Sequence, residues 1–300
     1  MKLIKPYFEI WEQPTGLEGV YKQIEKVGRV CYKSEDKITE DSAKPFVDRM
    51  IRSGHGAMLE HGTAYLEFHV KDPSEVGEEK YHSQQSELNK LISRYANNRY
   101  SIIKVNHYYD TVFITTNYRV LIENNWLKDL KYICEPTVFH EKRATVHFVC
   151  DRGVSHEFVR HRVMSFAQES TRYCNYSKDK FGNELTFIQP CWLDDERLKL
   201  YGPYHTIIRD KSPESIFIAN LNNAERDYLD LISLGWKPQE ARAILPNSLK
   251  TELVITGFTS DWNHFFDLRA RGTTGAPHPQ AKELAEPLME EFVTRKYINN

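Results

Sequence analysis

Apolar residues recur at spacings of three and four from Leu17 to Val30, with Val20, Ile24 and Val27 on one face, and this pattern predicts a first helix. Asp41-Ser42 precedes a second helical pattern, Ala43 to Ile51, which ends near Gly54. From Thr63 to Val70 the period changes to two (Ala64, Leu66, Phe68, Val70), predicting a half-buried strand. Lys71 to Asn98 is polar, and its Leu88, Leu91, Ile92 and Tyr95 predict one exposed helix, in a surface lobe or a flexible loop. A strand is expected at Val112 to Thr116, a helix over Tyr118 to Ile133, and a strand at Thr145 to Cys150. Val154, Phe158 and Val159 form a short apolar stripe for which Ser155 is a plausible helix cap. Further helices are expected from Ser215 to Leu234, stopped by Gly235, and from Pro238 to Leu245. Leu253 to Phe258 reads as a strand, Ser260-Asp261 as the cap of a helix towards Arg269, and Pro279 as the start of a last helix to about Lys296. Strands and helices without strict β-α-β alternation point to the α+β class, a mixed or antiparallel sheet flanked by helices.

Composition narrows the class. A chain of 300 residues can bury a core without disulfides or metals. With 40 Lys+Arg against 42 Asp+Glu the net charge is −2, which excludes a polycation that coats nucleic acid but permits a local basic patch. Five scattered cysteines, none spaced C-x-x-C, suit reduced thiols and a cytoplasmic location. The first residues do not read as a secretory leader, and no apolar run approaches the roughly 18–20 residues that span a bilayer.

The chemistry concentrates in one segment. No G-x-G-x-x-G follows a strand and no G-x-x-x-x-G-K-[ST] occurs, so a phosphorylated ligand must be held by side chains. Between Ser155 and Lys178 lie Arg160, His161, Arg162, Gln168, Glu169, Ser170, Arg172 and Tyr173, and guanidinium groups grip phosphate through bidentate, charge-assisted hydrogen bonds. On a regular helix Arg160 and Arg162 point about 200° apart. Either the helix ends there, or the two arginines serve two ligands. A nucleophilic Ser170 would need an adjacent base; the histidine and carboxylate near it in sequence do not amount to a triad, so it reads as a ligand contact. His55, His61, His69, His147, His156 and His161 lack the helical spacing of a metal site and read as core or hydrogen-bonding groups, so no metal is expected. Cys191, after Pro190, reads as structural.

Arg160-His161-Arg162, seven residues, then Ser170 resembles the R-H-R-x7-S signature of the flavin-dependent thymidylate synthases. Val30-Cys31-Tyr32, Gly54 to His61, Glu240 to Pro246 and Trp262 to Ala270 are similar to further motifs of that family, in the same order. The resemblance implies methylation of dUMP at C5, with methylenetetrahydrofolate as carbon donor and NADPH as reductant through bound FAD. It implies that Glu157, Arg160, Gln168, Glu169, Ser170, Thr171, Arg172, Arg242 and Arg269 surround dUMP. It places His55, Glu60, Arg160, His161, Arg162, Val163, Gln168 and His264 along FAD. Arg269, Ser170 and Arg172 are then the catalytic set, with Arg269 stabilising charge at N3 of the uracil. A homotetramer with sites shared between subunits is implied, with no nucleic-acid or membrane partner.

The chain departs from the family pattern at Ala167-Gln168, where many members carry Asn-Glu, at Ala57, where a threonine often meets the flavin, and at Phe258, often asparagine. The region after Arg269 is longer, and His278 matches a family histidine near the flavin. Ordered motifs on both sides of the segment from about 71 to 143 imply one catalytic domain, 1–300, carrying that segment as an insertion. The rival reading is a nucleotide- or single-stranded RNA-binding module, which predicts a broad basic face. A third keeps the flavin and changes the uracil that is methylated.

Overall fold

The computed structural model describes residues 1–108, 110–193, 195–200 and 212–299. The strands are β1 (Lys2–Ile4), β2 (Tyr7–Trp11), β3 (Thr63–His69), β4 (Ile102–Asn106), β5 (Thr111–Asn117), β6 (Arg143–Asp151), β7 (Ser165–Gln168), β8 (Thr186–Ile188) and β9 (Lys250–Phe258). They form an antiparallel four-stranded sheet in the order β2-β6-β9-β7, an antiparallel three-stranded sheet in the order β3-β5-β4, and a parallel pair, β1 with β8. The fold is α+β, as expected, but divided among three sheets. The short strands β1, β7 and β8 lack enough residues to display a period, and β2 and β4 are half-exposed edge strands whose alternation is weak.

β6 and β9 are the middle strands of the larger sheet and are buried on both faces, which is why they read as nearly continuous apolar runs. One face packs on Trp262, Phe265 and Phe266 of the Thr259–Phe266 helix and Phe292 of the Pro279–Thr294 helix. The other face meets the Gly16–Tyr32 helix, whose Val27, Val30 and Cys31 touch Ala167 of β7 and Val254 of β9. The same helix turns Val20 and Ile24 into a second core with Phe46, Leu66 and Ile114. Gly62 permits this close approach, since a Cβ there would sit 2.7 Å from both Val20 and Ile24.

Several boundaries differ from expectation. The helix Glu78–Ala96 is not an exposed helix on a loose lobe: Leu88, Leu91 and Tyr95 are buried in the second core. Tyr95 also donates to Asp129, which is fully buried and paired with Arg94. Tyr118 to Ile133 breaks into the helix Tyr118–Glu123 and a 3-10 turn, Leu127–Tyr132, because Asn125 takes a left-handed φ of 58°. The cap before the signature segment is Asp151, whose carboxylate accepts from Val154 N–H, while Ser155 donates to the Arg152 carbonyl. Ser260 and Asp261 lie inside their helix, which starts at Thr259 without a side-chain cap. Among the described residues no helix is long and apolar enough to cross a membrane.

Leu91 offers a direct check on the Glu78–Ala96 helix. Leu91→Ala is expected to lower unfolding free energy by about 2–5 kcal/mol, the usual cost of emptying a buried leucine site. Urea titration should show a lower midpoint with an unchanged slope; a shift below about 0.5 kcal/mol would mean that the helix is peripheral.

Candidate functional site

The site begins where β6 ends. Asp151 closes the strand and caps the helix Arg152–Phe158, which brings Glu157 over the sheet and stops at Phe158. That stop settles the geometry of the arginines. Arg160 and Arg162 lie beyond the helix, exposed, while His161 between them turns inward to 4% exposure. Among the described residues neither arginine has a carboxylate within ion-pair range. His161 packs on Phe265 with tilted rings, centroids 4.9 Å apart, and lies edge-on to the exposed His264 at 5.9 Å, ring to ring.

A single π-turn, Asp267–Arg271, ending at Gly272 with φ 70°, follows the Thr259–Phe266 helix and carries Arg269. Such turns aim a side chain that a regular helix would place elsewhere. Arg269 donates from Nη1 to the Glu157 carboxylate at 2.5 Å, from Nη2 to the Glu157 carbonyl at 3.0 Å, and from Nε to His161 Nε2 at 3.1 Å. Three bonds fix one guanidinium. Because Nε2 accepts, the neutral ring carries its proton on Nδ1, which is buried without a partner among the described residues. Burial, then Arg269 and His264, press the His161 pKa down to about 4. Arg269 and Glu157 line a cavity of about 460 Å³ with Leu268, residues 274–277 and His278. His278 also meets Trp192, with ring centroids 6.0 Å apart.

A second group forms where β7 ends. Gln168 donates to Ser155 Oγ at 2.9 Å and Thr251 Oγ1 at 3.1 Å, tying this end of the sheet to the helix that bears Glu157. Glu169 points inward, its carboxylate held by Tyr176 at 3.0 Å and Lys250 at 2.8 Å, so only its backbone adjoins the turn that follows. In that turn Ser170 N–H donates to the Cys31 carbonyl at 3.0 Å, and Arg242 reaches Thr171 Oγ1 at 3.3 Å. Arg172 and Arg242 are both exposed, and among the described residues neither has a carboxylate partner. Lys250, with Glu252, escaped sequence analysis because the β9 reading began at Leu253. The available signal was two charges at alternate positions leading into an apolar strand.

His55 and Glu60 flank the short helix Gly56–Leu59, which packs on β7 through Met58 and Ala167. His55 is exposed at the start of the short helix Gly56–Leu59, and Ala57 is exposed within it. Glu60 accepts from Arg119 at 2.6 Å, while its carbonyl accepts from Arg143 at 3.0 Å. Arg143 pairs with Phe258 at one end of the β6–β9 ladder, and Asp151 pairs with Lys250 at the other. Eight residue steps separate these ends, roughly 27 Å at about 3.4 Å per residue. One chain therefore unites Glu157, His161, His264 and Arg269, and separately Ser170, Thr171, Arg172 and Arg242. Gln168 lies closer to His55 and Glu60 than that span, since it pairs with Leu253 of β9 and the Gly56–Leu59 helix packs on β7 through Met58 and Ala167. Val163 is half-buried beside Arg162. Cys191 lines a different cavity, of about 210 Å³, with Lys5 and Glu283, and burial raises its thiol pKa. Phe258 is buried against the Arg143 guanidinium.

The inward histidines predict acid sensitivity. His161 at about 4 and His61 at about 3 both lie below the ordinary 6.5, with burial the main cause in each case. Folding thus favours their neutral forms. That stability is complete above pH 6.5 and is lost as pH falls towards 4, where the unfolded chain binds protons that the folded chain refuses. His161→Gln should flatten the pH dependence of unfolding free energy between pH 6.5 and 4 by up to about 3 kcal/mol, at about 1.4 kcal/mol per unit. An unchanged slope would mean that His161 titrates normally.

Comparison with known proteins places the sequence in a family. A family model described as thymidylate synthase complementing protein matches residues 80–295; the motifs at Val30 to Tyr32 and Gly54 to His61 precede that match. The flavin-dependent thymidylate synthase of Pyrococcus furiosus is 29% identical over 149 residues, 50% of this chain and 53% of that protein. That of Corynebacterium efficiens is 27% identical over 169 residues, 54% of this chain and 63% of that protein. The chain spans about half the length of the curated relatives it matches. Among solved structures, a UMP/dUMP methylase from Streptomyces cacaoi bound with 5-Br dUMP aligns over 98% of this chain and 93% of that one, at 17% identity and a TM-score of 0.42. Because the family model covers well over half of the sequence, the chain belongs to the thymidylate synthase complementing protein family.

Proposed function

We propose that this protein is a flavin-dependent thymidylate synthase that converts dUMP to dTMP, with methylenetetrahydrofolate as carbon donor and NADPH as reductant. Family membership and the relatives' shared name support the reading. The observation that carries it is Arg269, fixed by Glu157 and His161 at the wall of the larger cavity. A guanidinium held in this way presents a preorganised positive charge to an oxyanion or ring nitrogen. Here it would hold negative charge at N3 of the uracil and make C5 a better nucleophile.

The other residues divide by position. Ser170, Thr171, Arg172 and Arg242 bind and orient the nucleotide phosphate, their two guanidiniums being free of competing carboxylates among the described residues. Gln168 couples that turn to the Glu157 helix through Ser155. His161 stays neutral at physiological pH and accepts from Arg269, so it holds the guanidinium without setting a second positive charge beside it. The donor set fits FAD: the exposed guanidiniums of Arg160 and Arg162 suit its pyrophosphate, and His55, Glu60, Val163 and His264 would flank it. Bound FAD would supply the hydride chemistry that no side chain can. By resemblance to the family we propose a cytoplasmic homotetramer of one catalytic domain per chain, with sites shared between copies.

Purified protein reconstituted with FAD should release tritium from 5-labelled dUMP only when methylenetetrahydrofolate and NADPH are both present. No release, or release without the folate, would overturn the reading.

A further inference from the structure

In the turn read as the dUMP phosphate site the backbone is held by Ser170 N–H to the Cys31 carbonyl at 3.0 Å and Cys174 N–H to the Ser170 carbonyl at 2.9 Å, whereas Arg172 is held loosely. Arg172 N–H reaches Ser170 Oγ at 3.3 Å, and Arg172 Nε reaches Gln239 at 3.4 Å. Firm side-chain anchorage lies one residue earlier. Glu169 is 2% exposed, its N–H donates to the Glu252 carbonyl at 2.8 Å, and its carboxylate takes Lys250 Nζ at 2.8 Å and the Tyr176 hydroxyl at 3.0 Å. Lys250 donates at the same time to Glu252 at 2.5 Å, and Glu252 also receives Lys33 at 2.8 Å and His147 Nε2 at 2.9 Å. Lys33 follows the Gly16–Tyr32 helix, two residues after the Cys31 carbonyl that holds Ser170. Two lysines therefore straddle Glu252, and among the described residues Lys250 is the one cation on Glu169.

A buried carboxylate beside a single ammonium has one low-energy position, because separating the pair leaves both charges desolvated. Burial alone would lift the Glu252 pKa and depress that of Lys250, yet Glu252 lies well below its ordinary range and Lys250 above its own. For Glu252 the His147 hydrogen bond and the two ammoniums outweigh burial; for Lys250 the two carboxylates do.

We propose that Lys250 is a positioning residue for the Ser170–Arg172 turn, acting through Glu169, and thereby sets the affinity for the nucleotide phosphate. The inference rests on the reading of that turn as the dUMP site. Lys250 need not touch the ligand. It fixes the residue from which the turn departs, while β7, β9 and the end of the Gly16–Tyr32 helix fix the backbone around it.

The test is dUMP binding to FAD-loaded protein by calorimetry. Lys250→Met strands a buried carboxylate and endangers folding, so the decisive variant is the double replacement Glu169→Gln, Lys250→Met, which removes both charges together. It should bind dUMP about 10–100-fold more weakly, the usual consequence of removing a partner that orients a ligating group. Its FAD content and its NADPH-dependent flavin bleaching should match the wild type, which loss of fold would not allow. Lys250→Arg keeps a cation between the carboxylates and should recover most of the affinity. A double variant that binds dUMP like the wild type, or a Lys250→Arg variant as weak as the double one, overturns the proposal and leaves the functional reading intact. Wild-type protein that does not bind dUMP removes the reading, and the proposal with it.

Discussion

Arg269→Ala is expected to reduce turnover about 10²–10³-fold, the range typical of losing one preorganised donor to developing negative charge, while FAD stays bound. The guanidinium makes three bonds within the chain and still lines the larger cavity. Its removal takes away charge at the reacting ring without disturbing the aromatic core beneath, where Phe265 and Phe266 are fully buried. Glu157→Gln should fall between the variant and the wild type, because the amide keeps one acceptor for Nη1 and the Glu157 carbonyl bond to Nη2 is untouched. Single-turnover measurement of dTMP formation separates this from a binding defect, since the loss should persist at saturating dUMP. An Arg269→Ala enzyme retaining more than about a tenth of wild-type turnover would show that charge at N3 is stabilised elsewhere.

The long periodic elements were legible in sequence because their periods persist over several turns or alternations: the Gly16–Tyr32 helix, β3, β9 and the last helix all lie close to their expected places. The signature segment was legible as chemistry before it was legible as structure. Its arginines are adjacent in sequence, but the helix stop at Phe158 sends Arg160 and Arg162 outward and His161 inward, and local spacing does not encode that stop. The clamp on Arg269 joins residues more than one hundred positions apart through a π-turn, whose irregular hydrogen bonding leaves no simple periodic trace. Glu169 shows the limit of motif reasoning most directly. Its neighbours Gln168 and Ser170 are half-buried, whereas its own carboxylate is captured deep inside by Tyr176 and by Lys250 from β9, eighty-one positions away in sequence. Likewise the Glu78–Ala96 helix has a sparse apolar stripe, and only the sheet β3-β5-β4 beneath it shows that three side chains suffice to bury one face.

The exposed arginines yield a prediction that separates phosphate from base recognition. Arg172→Ala and Arg242→Ala should each weaken dUMP binding about 10–100-fold, as expected for charge-assisted hydrogen bonds at about 1.5–3 kcal/mol each. The double variant should lose less than the product of the two, because both arginines serve one turn, Arg172 as one of its residues and Arg242 through Thr171 Oγ1. Arg172→Lys should recover only part of the loss, since an ammonium carries the charge without the planar fork. Deoxyuridine supplies the control. It has the same base and sugar but no phosphate, so its much weaker binding, measured by competition, should be nearly indifferent to either substitution. Arg269→Ala should reverse the pattern and impair both ligands alike, because Arg269 is assigned to the ring. If the Arg172 and Arg242 variants instead lose dUMP and deoxyuridine equally, the two guanidiniums do not hold the phosphate, and the turn after β7 must orient the nucleotide through its base or sugar.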